Sequence, residues 1–175
     1  MDVLLDILKF TIPALVVFFT VFFFLRAWSR NEDKRRKHEF NMHIKDDVLP
    51  VRLQAYERII LFLERIAPES ILLRMDRKGM TAAQLKTELQ NTIRHEYEHN
   101  LSQQTWISAE AWQSVQLARN QILKIVSDSA SELKENASGA SLGKLVLEKV
   151  MEMKTPPSQA AINYLKKEVN DLFLS

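Results

Sequence analysis

The sequence predicts an all-α protein with an N-terminal transmembrane helix, a charged stalk and an irregular or orthogonal helical bundle. Three observations predict it. Residues Leu4 to Leu25 are almost continuously apolar, with no charge from Thr11 onward. Beyond Leu49, apolar residues recur every three or four positions, the period of a helix with one buried face. No stretch alternates apolar and polar residues as a half-buried strand would, and only three glycines interrupt a chain rich in helix formers.

The run Leu4 to Leu25 is 22 residues long. As a helix it measures roughly 33 Å, enough to cross a hydrocarbon layer of ~30 Å. Six of the nine phenylalanines lie in it: Phe10, Phe18, Phe19, Phe22, Phe23 and Phe24. A cleaved secretory signal would carry positive charge before the apolar run and small residues after it. Here the first six residues hold Asp2 and Asp6, and Phe23-Phe24-Leu25-Arg26 end the run. A helix lying along the interface would need a polar face, which Thr11 to Leu25 lacks. The basic residues that follow the run place the C-terminal side in the cytoplasm. Lys9 and Trp28 are placed at the two interfaces, and Pro13 falls near the outer end, where a spanning helix tolerates it. The expected localisation is the inner membrane, with residues 1–3 outside, 4–25 spanning and the remainder cytoplasmic.

Net charge is only +2, so its distribution is more informative than its sum. Residues 26–45 hold an excess of four positive charges, and residues 26–48 read as a basic juxtamembrane stalk. Arg26, Arg30, Lys34, Arg35, Arg36 and Lys37 are the expected contacts to lipid headgroups, worth ~1 kcal/mol each close to an anionic surface. Topology explains this cluster, so no nucleic-acid partner is expected. The chain has no cysteine, which excludes disulfides and thiolate ligation.

The cytoplasmic part is expected as a helical body over 49–135 and a C-terminal helical hairpin over 136–175. Its first helix starts at Leu49-Pro50 and stops at Pro68, burying Leu53, Tyr56, Ile60, Leu63 and Ala67, with Ile59, Leu61, Phe62 and Ile66 widening the face. A short turn over Glu69 to Arg74 presents Ile71, Leu72 and Leu73 to one end of the core. Thr81-Ala82-Ala83-Gln84 is a capping box. It opens a helix with Leu85, Leu89, Ile93 and Tyr97 as its stripe, reaching about Ser102. Ser108 caps the next helix, which carries Trp112, Val115, Ile122, Val126 and Leu133. Asn136 to Ser141 is a linker, with Gly139 as a loop or helix-start residue. A fifth helix uses Leu142, Leu145, Val146, Val150 and Met153. A sixth starts at Pro156-Pro157 and buries Ala161, Ile162, Leu165, Val169, Leu172 and Phe173.

One motif carries chemistry. His95-Glu96-Tyr97-Glu98-His99 matches H-E-x-x-H, in which histidines four apart on a helix hold one zinc and the intervening Glu acts as base on the bound water. His95 and His99 are the candidate ligands and Glu96 the candidate base. The third ligand is missing from its usual place: Ser102 and Thr105 occupy the positions of the extended motif. Glu110, Glu132 and Glu135 are the candidates on the following helix, and His38 and His43 lie in the stalk. Without that ligand no cofactor is expected, and zinc remains the alternative.

The same helix turns polar along its buried stripe. Glu96 falls about 20° from Leu85 on a helical wheel, with His99 and Asn100 nearby. Either the helix leaves the core there, or Glu96, His99 and Asn100 form a polar cluster with an arginine such as Arg58, Arg65 or Arg94, since unpaired buried charge is expensive. Trp106 and Trp112 bracket the corner that follows, as core residues or as an exposed pair able to anchor a protein contact.

Several stretches together resemble a family: LPVRLQAYERIILFLERIAPESILLR from Leu49 to Arg74, GMTAAQL from Gly79 to Leu85, IRHEYEHNLSQQTWIS from Ile93 to Ser108, and the anchor with Pro13. They look like small single-pass inner-membrane proteins of Bacteroidota with a cytosolic all-helical domain. The resemblance implies that location and fold, and supplies no reaction, cofactor or site residue.

The leading expectation is therefore a non-enzymatic, membrane-tethered adaptor or accessory subunit. Its partners would be the lipid bilayer and either another membrane protein or a second copy. The alternatives are a membrane-bound zinc hydrolase using His95, Glu96 and His99, and a surface module reading anionic lipid through its basic stalk.

Overall fold

The computed structural model describes residues 15–26, 48–75 and 78–173. The chain divides into two units, Met1–Leu49 and Pro50–Ser175.

In the first unit, residues 15–26 are helical and exposed. Thr20 Oγ1 donates to the Val16 carbonyl at 2.7 Å, and Phe18 stacks on Phe22 with ring centroids 6.2 Å apart. No helix among the described residues is long and apolar enough to cross a membrane. This corrects the expected transmembrane anchor over 4–25. The single-pass inner-membrane topology, the bilayer partner and the tethered-adaptor reading lose their support with it. Residues 4–14 of the expected span lie outside the described residues, as do Trp28, His38 and His43. Of the expected headgroup contacts only Arg26 is described, on the last helical position; Arg30, Lys34, Arg35, Arg36 and Lys37 lie outside.

The second unit is all-helical. We number its helices α1 (48–66), α2 (Pro68–Arg74), α3 (Ala82–His99), α4 (Ala109–Ser131), α5 (Gly139–Met151) and α6 (Pro157–Phe173), with a 3-10 turn over Leu101–Thr105. The only β-type pairing among the described residues is an isolated bridge between Thr81 and Ser138.

α1 buries Ala55, Tyr56, Ile59, Phe62, Leu63 and Ile66, a stripe of three- and four-residue steps. Leu53 and Leu61, expected on that face, are exposed. Proline at 68 lacks an amide hydrogen and fits the first turn of a helix, so the chain bends at Ala67 and restarts as α2. Ile71 and Leu72 enter the core from α2, while Leu73 points to solvent. α3 begins on the predicted capping box: Thr81 Oγ1 accepts from Gln84 N at 3.2 Å, and Thr81 N donates to Gln84 Oε1 at 2.9 Å. It buries Leu85, Leu89, Ile93 and Tyr97 and ends at His99, three residues before the predicted end.

Ser108 caps α4 by accepting from Ala111 N, and Ser138 caps α5 by accepting from Ser141 N. α4 packs against α3, α5 and α6, and α5 also packs against α2 and α3. Ile122, Val126, Leu142, Val146, Ile162 and Leu165 join the α1 and α3 stripes in one core. Val169 is half-buried, Met153 is exposed, and the side chains of Leu172 and Phe173 lie outside the described ones.

Candidate functional site

The residues of the H-E-x-x-H motif do not converge. His95 and His99 are both exposed. Glu96 faces Arg65 of α1, with Arg65 Nη1 donating to its carboxylate at 3.5 Å. Glu132, one candidate third ligand, instead accepts from Lys149 Nζ at 2.6 Å. Among the described residues no group of three or more His, Asp or Glu side chains is placed to hold a metal. This corrects the zinc-hydrolase reading: His95 and His99 face solvent without a third ligand beside them among the described residues, and Glu96 is turned to Arg65.

Of the predicted polar cluster, Asn100 is buried and its side-chain amide donates to the Glu96 carbonyl at 2.8 Å, closing the end of α3. Glu96 pairs outward with Arg65, and His99 faces solvent. The stripe turns polar because α3 is ending.

An aromatic cluster lies beside it. Tyr97 stacks on Trp112 with centroids 5.4 Å apart, and the Arg119 guanidinium sits 4.2 Å above the Tyr97 ring. Gln116 donates to the Tyr97 hydroxyl at 3.3 Å. Trp106 is more exposed, and its carbonyl accepts from Arg52 Nε at 3.0 Å. These contacts fill the corner between α3 and α4.

An open concave surface lies elsewhere, between Met75, Lys78, Gly79 and Met80 on one side and α5 on the other. Met75 ends α2 in extended geometry. Gly79 has φ of 76°, a left-handed conformation that costs a side chain little only when there is none, and it turns the chain back toward α3. The loop is then clamped to the start of α5. Ala82 N donates to the Ala137 carbonyl and Gly139 N to the Met80 carbonyl, each at 2.8 Å. Residue 139 must be small for this, because a Cβ there would lie 3.1 Å from the Met80 carbonyl oxygen.

α5 then presents two faces. Leu142, Val146 and Val150 enter the core, Ala140, Lys144 and Met151 are exposed along the other side, and Leu147, half-buried against the core, borders both. With Met75 and Met80 they line an open groove of about 970 Å³. Lys78, Lys144 and Glu148 edge it, and Lys144 reaches Glu148 at 3.6 Å. Three of the six methionines thus meet at one surface. Methionines 71 residues apart are brought together by packing alone, and no local pattern marked them.

The second unit is thus an all-helical domain carrying an open, methionine-lined groove. The chain matches, over residues 2–172, the model of a family of unknown function (DUF7935), and it belongs to that family. This membership replaces the resemblance to single-pass membrane proteins, which the described helices do not support. No curated protein and no solved structure matches the chain.

Proposed function

We propose that the second unit is a recognition module that holds a short amphipathic helix of a partner protein, with leucine-type anchors and an acidic flank, in the groove between Met75–Met80 and α5. The observation that carries this reading is the methionine lining on a clamped backbone. Unbranched, polarisable thioether side chains adapt to differently shaped apolar anchors, which is why such residues recur at peptide-binding grooves. Two backbone hydrogen bonds and a capping box fix this wall at its Met80 end, so little backbone ordering is required there. Lys144 on the groove's rim, exposed and only loosely paired with Glu148 at 3.6 Å, favours an acidic residue beside the anchors.

The test uses the full chain carrying carbon-13 in its methionine methyl groups. The probe is a synthetic amphipathic helix with leucines on one face and glutamates on the other, compared with a version carrying lysines instead. The methyl signals of Met75, Met80 and Met151 are expected to shift on titration with the glutamate peptide, and that of Met153 to stay. No shift at the three groove methionines overturns the reading. Equal affinity for the lysine peptide overturns the acidic partner.

A further inference from the structure

Resting on the groove reading, we propose that Met151 is a sulfoxidation site through which a peroxide weakens the groove's hold on its partner. Met151 is the last residue of α5 and is 78% exposed, whereas Met75 and Met80 pack partly into the core. Its sulfur is therefore the first of the three to meet a solution oxidant. Susceptibility to oxidation follows access, and oxidation converts a flexible apolar side chain into a polar, chiral one.

The chemistry needs only hydrogen peroxide. A lone pair on the Met151 sulfur attacks one peroxide oxygen, an S–O bond forms and the O–O bond breaks. The departing oxygen leaves as water, taking the proton from the oxygen that stays on sulfur. Sulfur is oxidised by two electrons and the peroxide is reduced by two. The product places a sulfoxide oxygen on the apolar wall, at the end where Leu147 and Met151 sit one turn apart. The core is untouched, because the buried stripe of α5 runs through Leu142, Val146 and Val150. The modification alters the groove and leaves the fold standing.

The experiment treats the full chain with hydrogen peroxide over a time course, maps oxygen addition by peptide mass spectrometry, and measures affinity for the glutamate-bearing peptide at each stage. Met151 is expected to gain oxygen before Met75 and Met80, affinity to fall about tenfold, and the helical circular-dichroism signal to persist. Methionine sulfoxide reductase is expected to restore binding. In Met151→Leu the ratio of affinities before and after peroxide collapses to about one. Met153→Leu, outside the groove, keeps the wild-type response. Earlier oxidation of Met75 or Met80, unchanged affinity after Met151 is oxidised, loss of helical signal, or a full peroxide response in Met151→Leu would each overturn the proposal. If the untreated chain does not bind the peptide at all, the groove reading fails first and the switch with it. If it binds and only the peroxide response is missing, the groove reading stands and the switch alone is overturned.

Discussion

The Tyr56 hydroxyl donates to Glu168 Oε1 at 2.9 Å, joining α1 to α6 across 112 positions of sequence. Tyr56 is buried, and the second carboxylate oxygen of Glu168 is buried without a hydrogen-bond partner. The tyrosine hydroxyl is thus one of the few groups solvating that carboxylate. Tyr56→Phe removes it without changing the ring that packs in the core. The expected cost is about 1–3 kcal/mol, because an acceptor left unsatisfied loses more than a hydrogen bond gains. A urea midpoint that does not move would refute this.

The same contact sets a pH dependence. Burial, followed by the hydrogen bond and charge of Glu168, pushes the Tyr56 phenol from 10.0 up to about 12, against a smaller opposing effect of Arg52. The folded chain therefore keeps this proton at pH values where the unfolded chain has lost it. The contribution is complete below pH 10.0 and is lost as pH rises toward about 12. The full loss is on the order of 2–3 kcal/mol. Wild-type protein should lose more stability than Tyr56→Phe between about pH 9 and about pH 11.5 in denaturant titrations. Parallel losses in the two proteins would remove Tyr56 as the cause.

Thr81 serves both α3 and the groove wall, since its hydroxyl caps the helix and its backbone pairs with Ser138. Thr81→Ala should destabilise by ~1 kcal/mol, the usual loss for an N-cap. Thr81→Ser, which keeps the oxygen, should recover most of it in the same chemical-denaturation assay.

Gly79 in its loop and Gly139 at the start of α5 should fail for different reasons. At Gly79 nothing lies within 4 Å of an added Cβ, so Gly79→Ala meets only the backbone penalty of positive φ, about 1 kcal/mol. Asn at 79, which tolerates this conformation, should cost less. Gly139→Val meets the Met80 carbonyl that Gly139 N already holds, and is expected to cost about 1–3 kcal/mol by overpacking. Thermal melts of the three variants would show this order or contradict it.

On α3, neighbouring residues should behave oppositely. Ile93 is fully buried, and Ile93→Ala should cost about 2–5 kcal/mol. The double variant His95→Ala/His99→Ala alters two exposed side chains and should stay within about 0.5 kcal/mol of wild type. Added zinc should leave the melting temperature where it is, because a ligand stabilises only the state that binds it. A zinc-dependent rise that disappears in the double variant would restore the metal site.

Much of this unit was legible in the chain. The stripe Leu85, Leu89, Ile93 and Tyr97 and the box Thr81–Gln84 are local patterns, and local backbone geometry is enough to realise them. Ser108 and Pro157 mark their helix starts for the same reason. Leu53 and Leu61 show where periodicity becomes ambiguous. Around a helix as apolar as α1, several faces satisfy the spacing, and only its neighbours select Ala55, Tyr56, Ile59, Phe62, Leu63 and Ile66. The apolar N-terminal run misled for a different reason. Hydropathy scores composition along the chain and places no helix, and no helix among the described residues is long and apolar enough to cross a membrane.

The sequence by itself determined an all-helical unit, its caps and most of its core, because each depends on residues within a few turns of one another. Tertiary structure alone decided that Glu96 pairs with Arg65, that Tyr56 reaches Glu168, and that Met75, Met80 and Met151 share one surface. Those relationships join residues separated by tens of positions. Their geometry is set by how helices pack, and packing follows the shape of the whole core.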